Sequence, residues 1–385
     1  MGFAEMTDFE VDPRFEAYFS GRLRQVFFYI TDRCQLRCEQ CLYKTTLANR
    51  DISEDSAMTF LRLLFGYGAR KLTFIGGEPT LYDRKHECAA LFRIAQFAKQ
   101  IGYEYVRLDS NGLFSSNLLE DDGFTAIDNL ALSFDGPDQE SHEVLRGPNT
   151  FHRALATLRQ ARNLGIYTTV TVCVHPGIVR RLPEVISFFN ENGASEINFH
   201  PLFKMGIARD EFTGNTDIQI EEWRRAFYDV KEIGLKENWG ASVRMPKRFV
   251  PKEEYFSNPE MYRYCPTRMG ERVLIHPNGH IRVCALCIGT ETTIANFDAN
   301  GVKFNDSTTS EIGPDRLGRG NCLSQVADFG EYMPLCISYK ENQKEYVWRG
   351  QSFDRKLRGQ DGIGEYLDDS HLVSFLESNT KGRSA

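Results

Sequence analysis

Six short apolar or alternating runs, separated by stretches of helical character, constrain this chain more than any other feature of its sequence. The runs are 26–31 "VFFYIT", 71–75 "KLTFI", 103–109 "YEYVRLD", 129–134 "NLALSF", 167–174 "YTTVTVCV" and 196–201 "EINFHP". Helical patterns fall between them near 54–66, 84–101, 151–164 and 179–192. In the first of these, Ser53 is placed to cap the N-terminus, and Glu54 and Asp55 occupy the first turn, where the helix dipole favours acids. Strands alternating with helices of this length predict βαβ units and a parallel sheet. Six units are too few for a closed eightfold barrel. The expected fold class is therefore α/β, an open or partial (β/α)6 barrel.

A chain of 385 residues has room for that barrel and for a smaller domain. Residues 217–236, "DIQIEEWRRAFYDVKEIGLK", read as one amphipathic helix leaving the sheet. From about 250 to 345 the texture shifts to Gly, Asn and Pro with short strands, then to a charged linker and a last helix near 361–377. The expected division is an N-terminal extension 1–25, the barrel 26–236, a small C-terminal α+β domain 237–345, and a helix and tail 346–385. A formal net charge of -7 argues against a nucleic-acid partner. No run approaches the ~18 consecutive apolar residues of a membrane span. The start, "MGFAEMTDFEVDPRFEAYF", is acidic and lacks the apolar core of a signal peptide. A cytoplasmic protein without membrane attachment is expected.

The chain has ten cysteines, and their distribution says more than their number. Three crowd into "ITDRCQLRCEQCLY" (30–43), as Cys34, Cys38 and Cys41 in the loop after the first strand. Five more, Cys265, Cys284, Cys287, Cys322 and Cys336, follow residue 260. Thiols in a reducing compartment do not form a disulfide framework, so two separate metal sites are expected. Iron–sulfur clusters are held by Cys thiolates. Three thiolates on a four-iron cubane leave one iron open, and an open position marks a reactive site rather than a structural one. A zinc knuckle is the alternative reading of the triad.

C-x3-C-x2-C after a first strand resembles the signature of the radical S-adenosylmethionine (SAM) superfamily. In that family SAM chelates the open iron of a [4Fe-4S] cluster. Reductive cleavage of SAM gives a 5′-deoxyadenosyl radical that abstracts hydrogen from an unactivated carbon. Three further stretches carry the resemblance. "FIGGEPTLYD" (74–83) is similar to the family's GGEP motif; Gly76 and Gly77 would let the backbone approach the SAM ammonium, and Glu78 would add complementary charge. "DSNGLF" (109–114) carries the family's Asn-Gly as Asn111 and Gly112. "LSFDGPDQESHEVLRG" (132–147) resembles a Ser-x-Asp-Gly stretch followed by His-x-x-x-Arg-Gly, which implies Ser133 and Arg146 for the SAM ribose and carboxylate. Each stretch alone also reads as a turn rich in Gly, Asn, Asp and Pro. All four, however, sit where predicted parallel strands end, the rim on which α/β barrels carry their sites. One departure is Gln40, where the family usually has an aromatic residue near the adenine; Tyr43 is the candidate to compensate.

"CPTRMGERVLIHPNGHIRVC" runs from Cys265 to Cys284 as C-x13-G-x4-C and is similar to the opening of SPASM or twitch auxiliary-cluster domains. The denser run of a full SPASM domain is absent, and five cysteines cannot supply two sets of four thiolates. The resemblance thus implies one auxiliary [4Fe-4S] cluster, with Cys265 and Cys284 as ligands, Cys322 and Cys336 completing them, and Cys287 as the spare or alternative. A zinc ribbon is the other reading. The implied activity is oxidation or epimerisation of a C–H in a small polar substrate such as a sugar or aminocyclitol. The alternative is maturation of a ribosomally made peptide, and a non-catalytic iron–sulfur protein is a remote third. Peptide maturases often carry an N-terminal leader-binding domain, for which the 25 residues before the first strand leave no room, so the small substrate is favoured. A flavodoxin or ferredoxin is the expected reductant. In "YTTVTVCVH", Thr169, Thr171, Cys173 and His175 share one strand face, opposite Val170, Val172 and Val174. Cys173 would then point into the lumen as a possible hydrogen-atom donor; a small buried hydrophobe is the simpler reading.

Overall fold

The computed structural model describes residues 9–41, 43, 47–202, 218–234, 239–245, 249–257, 266–267, 269–284, 293–298, 300–305, 330–335 and 347–348. They fall into two compact units. The first is built from Met1–Leu130, Lys204–Phe212 and Pro266–Leu317, the second from Ala131–Phe203, Thr213–Cys265 and Gly318–Ala385.

In the first unit, β1 (Glu10–Val11), β2 (Gln25–Thr31), β3 (Lys71–Gly76) and β4 (Tyr105–Ser110) join β10 (Arg272–Ile275), β11 (His280–Arg282), β12 (Thr293–Asp298) and β13 (Gly301–Phe304). Their order is β1-β13-β12-β11-β10-β2-β3-β4. The pairs β2–β3 and β3–β4 are parallel, as the alternation of strands and helices predicts. The free edge of β2 is taken by β10, also parallel, with Arg272 beside Gln25 and Ile275 beside Phe28. Helices α1 (Pro13–Phe19), α2 (Glu54–Gly66) and α3 (Ala89–Ile101) lie along the chain between these strands. Helix α2 begins as its sequence predicts: Ser53 Oγ accepts the Ser56 N–H at 3.2 Å. It buries Ala57, Phe60, Leu61, Leu63 and Leu64, while Val26, Phe28 and Ile30 of β2 are wholly buried. Each such Phe, Leu, Ile or Val side chain contributes about 1.5–3 kcal/mol by leaving water.

The helix expected over 84–101 is broken. A 3₁₀ turn at Arg84–His86 precedes α3, and Asp83, Glu87 and Cys88 take positive φ at the joint. The Asp83 carboxylate accepts the Ala90 N–H at 3.1 Å and faces His86 Nδ1, and the Cys88 thiol donates to Thr80 O at 3.1 Å. Local side-chain bonds of this kind outbid the helix.

In the second unit the order is β5 (Asn129–Phe134), β6 (Thr168–Val174), β7 (Glu196–Pro201), β8 (Ser242–Arg244) and β15 (Val347–Trp348). The first two residues of β5 belong to the first unit. The pairs β6–β7 and β7–β8 are parallel, so β8 adds a strand beyond the six read from the sequence. Helices α4 (Gln139–Arg146), α5 (Phe151–Asn163) and α6 (Leu182–Glu191) fill the crossovers, and Ile220–Gly234 is the amphipathic helix predicted at 217–236. A separate two-stranded antiparallel sheet pairs β9 (Phe249–Pro251) with β14 (Tyr332–Pro334). The contact division puts 239–257 in the second unit and 266–304 in the first. The helix expected near 361–377 lies outside the described residues.

Candidate functional site

The loop carrying Cys34, Cys38 and Cys41 leaves β2 and returns beside it. Thr31 bridges to Asp51, Asp32 N–H donates to Arg50 O at 2.9 Å, and Ile52 N–H donates to Ile30 O at 3.0 Å. Two crossed ion pairs lock this neck: Arg33 Nη2 to Asp51 Oδ2 at 2.9 Å and Arg50 Nη2 to Asp32 Oδ2 at 2.7 Å. Thr31 Oγ1 adds a bond to Asp51 Oδ1 at 2.6 Å. Sequence reasoning missed this clasp. Its signal was the mirrored charge order, Asp32-Arg33 against Arg50-Asp51.

Inside the loop, Cys34 Sγ accepts the Leu36 N–H at 3.4 Å, and Cys41 N–H donates to Cys38 O at 3.2 Å. Burial pushes the Cys34 thiol up to about 12, and Glu78, Cys38 and Cys41 add to the shift, which places the three thiols within one another's fields. Among the described residues no three His, Cys, Asp or Glu converge to hold a single metal ion. A cubane carries each thiolate on its own iron and so takes them further apart. The donor set fits that group.

The GGEP segment forms the floor of the loop. Gly77 N–H donates to Thr31 O at 2.8 Å and Glu78 N–H to Arg33 O at 2.6 Å. A Cβ on Gly77 would lie 2.1 Å from Arg33 O, and one on Gly76, at φ +152°, 2.3 Å from Thr31 O. Only glycine permits that approach. Glu78, 1% exposed, is turned inward. Its Oε1 accepts from Thr80 N (3.2 Å), Thr80 Oγ1 (2.7 Å) and Ser110 Oγ (2.8 Å), and its Oε2 from Asn111 N (2.8 Å). Burial raises its pKa while these four bonds favour the anion. Asn111 Oδ1 in turn accepts from Gln35 Nε2 at 3.2 Å and Leu113 N at 3.0 Å. Glu78 and Asn111 therefore tie the ends of β3 and β4 to the cysteine loop.

In the second unit, the stretch after β5 braces itself. Asp135, whose side chain is wholly buried, pairs with Arg146 (Nε to Oδ2 2.6 Å) and accepts the Cys173 N–H at 3.3 Å. Asp135 N–H donates to His142 Nδ1 at 3.3 Å. His142 and Arg146, four apart on one face of α4, thus hold the backbone and the carboxylate of one residue. His142 is 1% exposed, its Nε2 is without a hydrogen-bond partner, and burial lowers its pKa to about 4. Ser133 is partly exposed. On β6, Val170, Val172 and Val174 are wholly buried while Thr171 and Cys173 are partly exposed. Cys173 is in register with His200 on β7.

Back in the first unit, Tyr43 is engaged by Tyr29, with rings edge to face at 4.9 Å and hydroxyls hydrogen-bonded to each other. Tyr29 stacks on His276 at 4.1 Å. Tyr43 feels Arg282, Cys284 and Cys41 together, while burial pushes its hydroxyl pKa up. The segment bearing Cys284 therefore reaches the neighbourhood of the cysteine loop. Cys265, Cys287, Cys322 and Cys336 lie outside the described residues. No described helix is long and apolar enough to cross a membrane.

Residues 28–189 match the family model of the Radical SAM superfamily. The chain is 22% identical over 273 residues to a probable GTP 3′,8-cyclase of Saccharolobus solfataricus, covering 69% of this chain and 84% of that protein. It is 23% identical over 359 residues to the AdoMet-dependent heme synthase of Methanosarcina barkeri, covering 89% and 88%. Among solved structures, Streptococcus suis SuiB bound to its precursor peptide SuiA superposes with a TM-score of 0.59 at 15% identity, covering 79% of this chain and 68% of SuiB. Native anSMEcpe with bound AdoMet gives 0.59 at 14% identity, covering 92% and 99%. These likenesses show the fold, a partial (β/α)6 barrel.

Proposed function

Through residues 28–189 the chain belongs to the radical SAM superfamily, and on that premise we propose that it oxidises or epimerises a C–H position of a small polar substrate. The observation that carries the reading is three thiols gathered on one clasped loop over the Gly76–Gly77 floor. Cys34, Cys38 and Cys41 would hold three irons of a [4Fe-4S] cluster. When bound, the cluster and SAM supply a 5′-deoxyadenosyl radical able to take hydrogen from an unactivated carbon. The chain's own residues place and shield the reactants. Gly76 and Gly77 would bring backbone to the SAM ammonium, with Glu78 and Asn111 fixing that backbone. By the family resemblance Ser133, partly exposed, would offer a hydroxyl to the ribose. Arg146, which pairs with Asp135, would by the same resemblance serve the SAM carboxylate.

A sugar or aminocyclitol remains the favoured substrate type; the relatives named as a GTP cyclase and a heme synthase act on small molecules by their names. Peptide maturation is the second reading, because SuiB, seen with SuiA, shares this fold. We also assign one auxiliary [4Fe-4S] cluster to Cys265, Cys284, Cys322 and Cys336, with Cys287 as the alternative, a flavodoxin or ferredoxin as reductant, and a cytoplasmic setting. The decisive experiment is 5′-deoxyadenosine formation by anaerobically reconstituted protein. The Cys34/Cys38/Cys41→Ala triple variant should form none and lose about half the iron, one of two clusters; reductive SAM cleavage by that variant would overturn the assignment.

Cys173 separates the two outcomes at carbon. As hydrogen-atom donor it would make the protein an epimerase, and solvent deuterium would enter the product. Cys173→Ala would then stall or give oxidised product. Equal unlabelled product from both proteins would leave oxidation as the reaction.

A further inference from the structure

The first unit holds a buried cation without a counter-charge. Arg282, at the end of β11, is 7% exposed. Its Nε donates to Thr293 Oγ1 at 3.4 Å and its Nη2 meets His280 Nδ1 at 3.5 Å, both long. None of the ion pairs within 4.0 Å found among the described residues involves it. Its register partner is Leu274 of β10, and β10 pairs with β2, the strand that ends at Thr31 just before Asp32 and the cysteine loop. Asp32 is already taken by Arg50 at 2.7 Å. A buried guanidinium with spare N–H groups is destabilising unless an anion meets it.

A second group lies in the same unit, close enough to feel the Arg282 charge. His276 follows β10, whose Ile275 is the register partner of Phe28, and its ring lies flat on Tyr29. It is 6% exposed, and its Nε2 has no hydrogen-bond partner. Burial and the nearby Arg282 charge keep the ring neutral, so it can carry one N–H and donate it. Arg282 stands two residues before Cys284, and Tyr43 two residues after Cys41. Arg282 and His276 thus belong to the β10–β11 pair, beside the strand that leads into the triad loop.

We propose that Arg282 and His276 receive an oxyanion group of the substrate, a carboxylate or a phosphate. The planar guanidinium fork matches either group, and neutral His276 can add one N–H where its Nε2 lacks a partner among the described residues. A chain of net charge -7 does not attract small anions by its overall field, so binding must come from the local site. The proposal deepens the reading of a small polar substrate, and rests on it, by giving that substrate a negative group.

The test is calorimetric titration of the reconstituted full chain, in chloride buffer at constant ionic strength, with sodium acetate and with sodium phosphate. Saturable binding of acetate marks a carboxylate site, and tighter binding of phosphate marks a phosphate site. In Arg282→Gln the dissociation constant should rise about tenfold or more, the loss expected when a charge-assisted bond is removed. Arg22→Gln, which removes an exposed charge of the same unit, should leave it unchanged. No saturable binding of either anion, or equal affinity in Arg282→Gln, overturns the site. Should Arg282→Gln fail to fold, the parent decides: a Tm that rises saturably with either anion supports the site, and one that follows ionic strength alone overturns it. SAM cleavage without anion binding would sink this site and leave the enzyme assignment standing; anion binding without SAM cleavage would do the reverse.

Discussion

Replacing Glu78 by Gln tests whether this carboxylate braces the site or addresses SAM directly. Gln keeps the shape and turns one acceptor oxygen into a donor. Oε1 takes three hydrogen bonds, so the oxygen of Gln should stay there. The new NH2 then faces the Asn111 N–H across what was a 2.8 Å bond. One charge-assisted bond is lost, about 1.5–3 kcal/mol, and one buried N–H is left unmet, about 1–3 kcal/mol. Relief from burying a charge offsets part of this. The net expectation is a loss of about 2–4 kcal/mol by urea unfolding of the reduced, cluster-free chain, with weaker SAM binding in the reconstituted one. A stability change below about 0.5 kcal/mol would refute the account, since surface-like tolerance is incompatible with a saturated buried acceptor. Weaker SAM binding at unchanged stability would mean that Glu78 touches SAM instead.

Gly77→Ala should displace Arg33 and with it the start of the cysteine loop, because the new Cβ meets Arg33 O at 2.1 Å. Overpacking of this kind costs about 1–3 kcal/mol, and iron per chain after reconstitution should fall; full iron content would show that the loop yields. His142 has a folded pKa of about 4 against 6.5 unfolded. The unfolded chain therefore binds the extra proton between those values, and stability is lost as pH falls from 6.5 toward 4, by up to roughly 3 kcal/mol. Denaturation curves of His142→Gln should be flatter than the parent's over that window, and parallel slopes would remove His142 as the cause.

The strands β2 to β7 and the helices α2, α5 and α6 were legible because their signals are local. Alternation along "YTTVTVCV" gave the buried valine face of β6, and Ser53-Glu54-Asp55 gave the start of α2. The break before α3 was hidden, since "LYDRKHECAALF" keeps a helical spacing of apolar residues while Asp83 takes the Ala90 N–H and the Cys88 thiol takes Thr80 O. The motifs were legible as motifs; the orientation of their side chains was not. Glu78 reads as a charge meant for SAM, yet its partners Ser110 and Asn111 lie 32 and 33 positions away at the end of another strand. Arg146 reads as a carboxylate binder, and its pairing with the buried Asp135 could not be read from the sequence. Pairings between distant segments follow from how the strands are brought together, which no window of sequence displays. His276 and Arg282 escaped notice for the same reason.

The parallel pairing of β10 on β2 has a consequence for how the chain is made. Gln25 and its partner Arg272 are separated by about 250 residues. At translation rates of about 5–20 residues per second, the outer edge of β2 waits roughly 12–50 s on the ribosome before its neighbour exists. During that interval "VFFYI" is an unpaired, apolar, β-prone edge of the kind that recruits other chains. The thiols of Cys34, Cys38 and Cys41 follow it within 11 residues of Ile30, exposed to oxidation over the same period. Soluble yield should therefore be governed by the speed of synthesis and the supply of chaperones and reductant, more than by the stability of the finished fold.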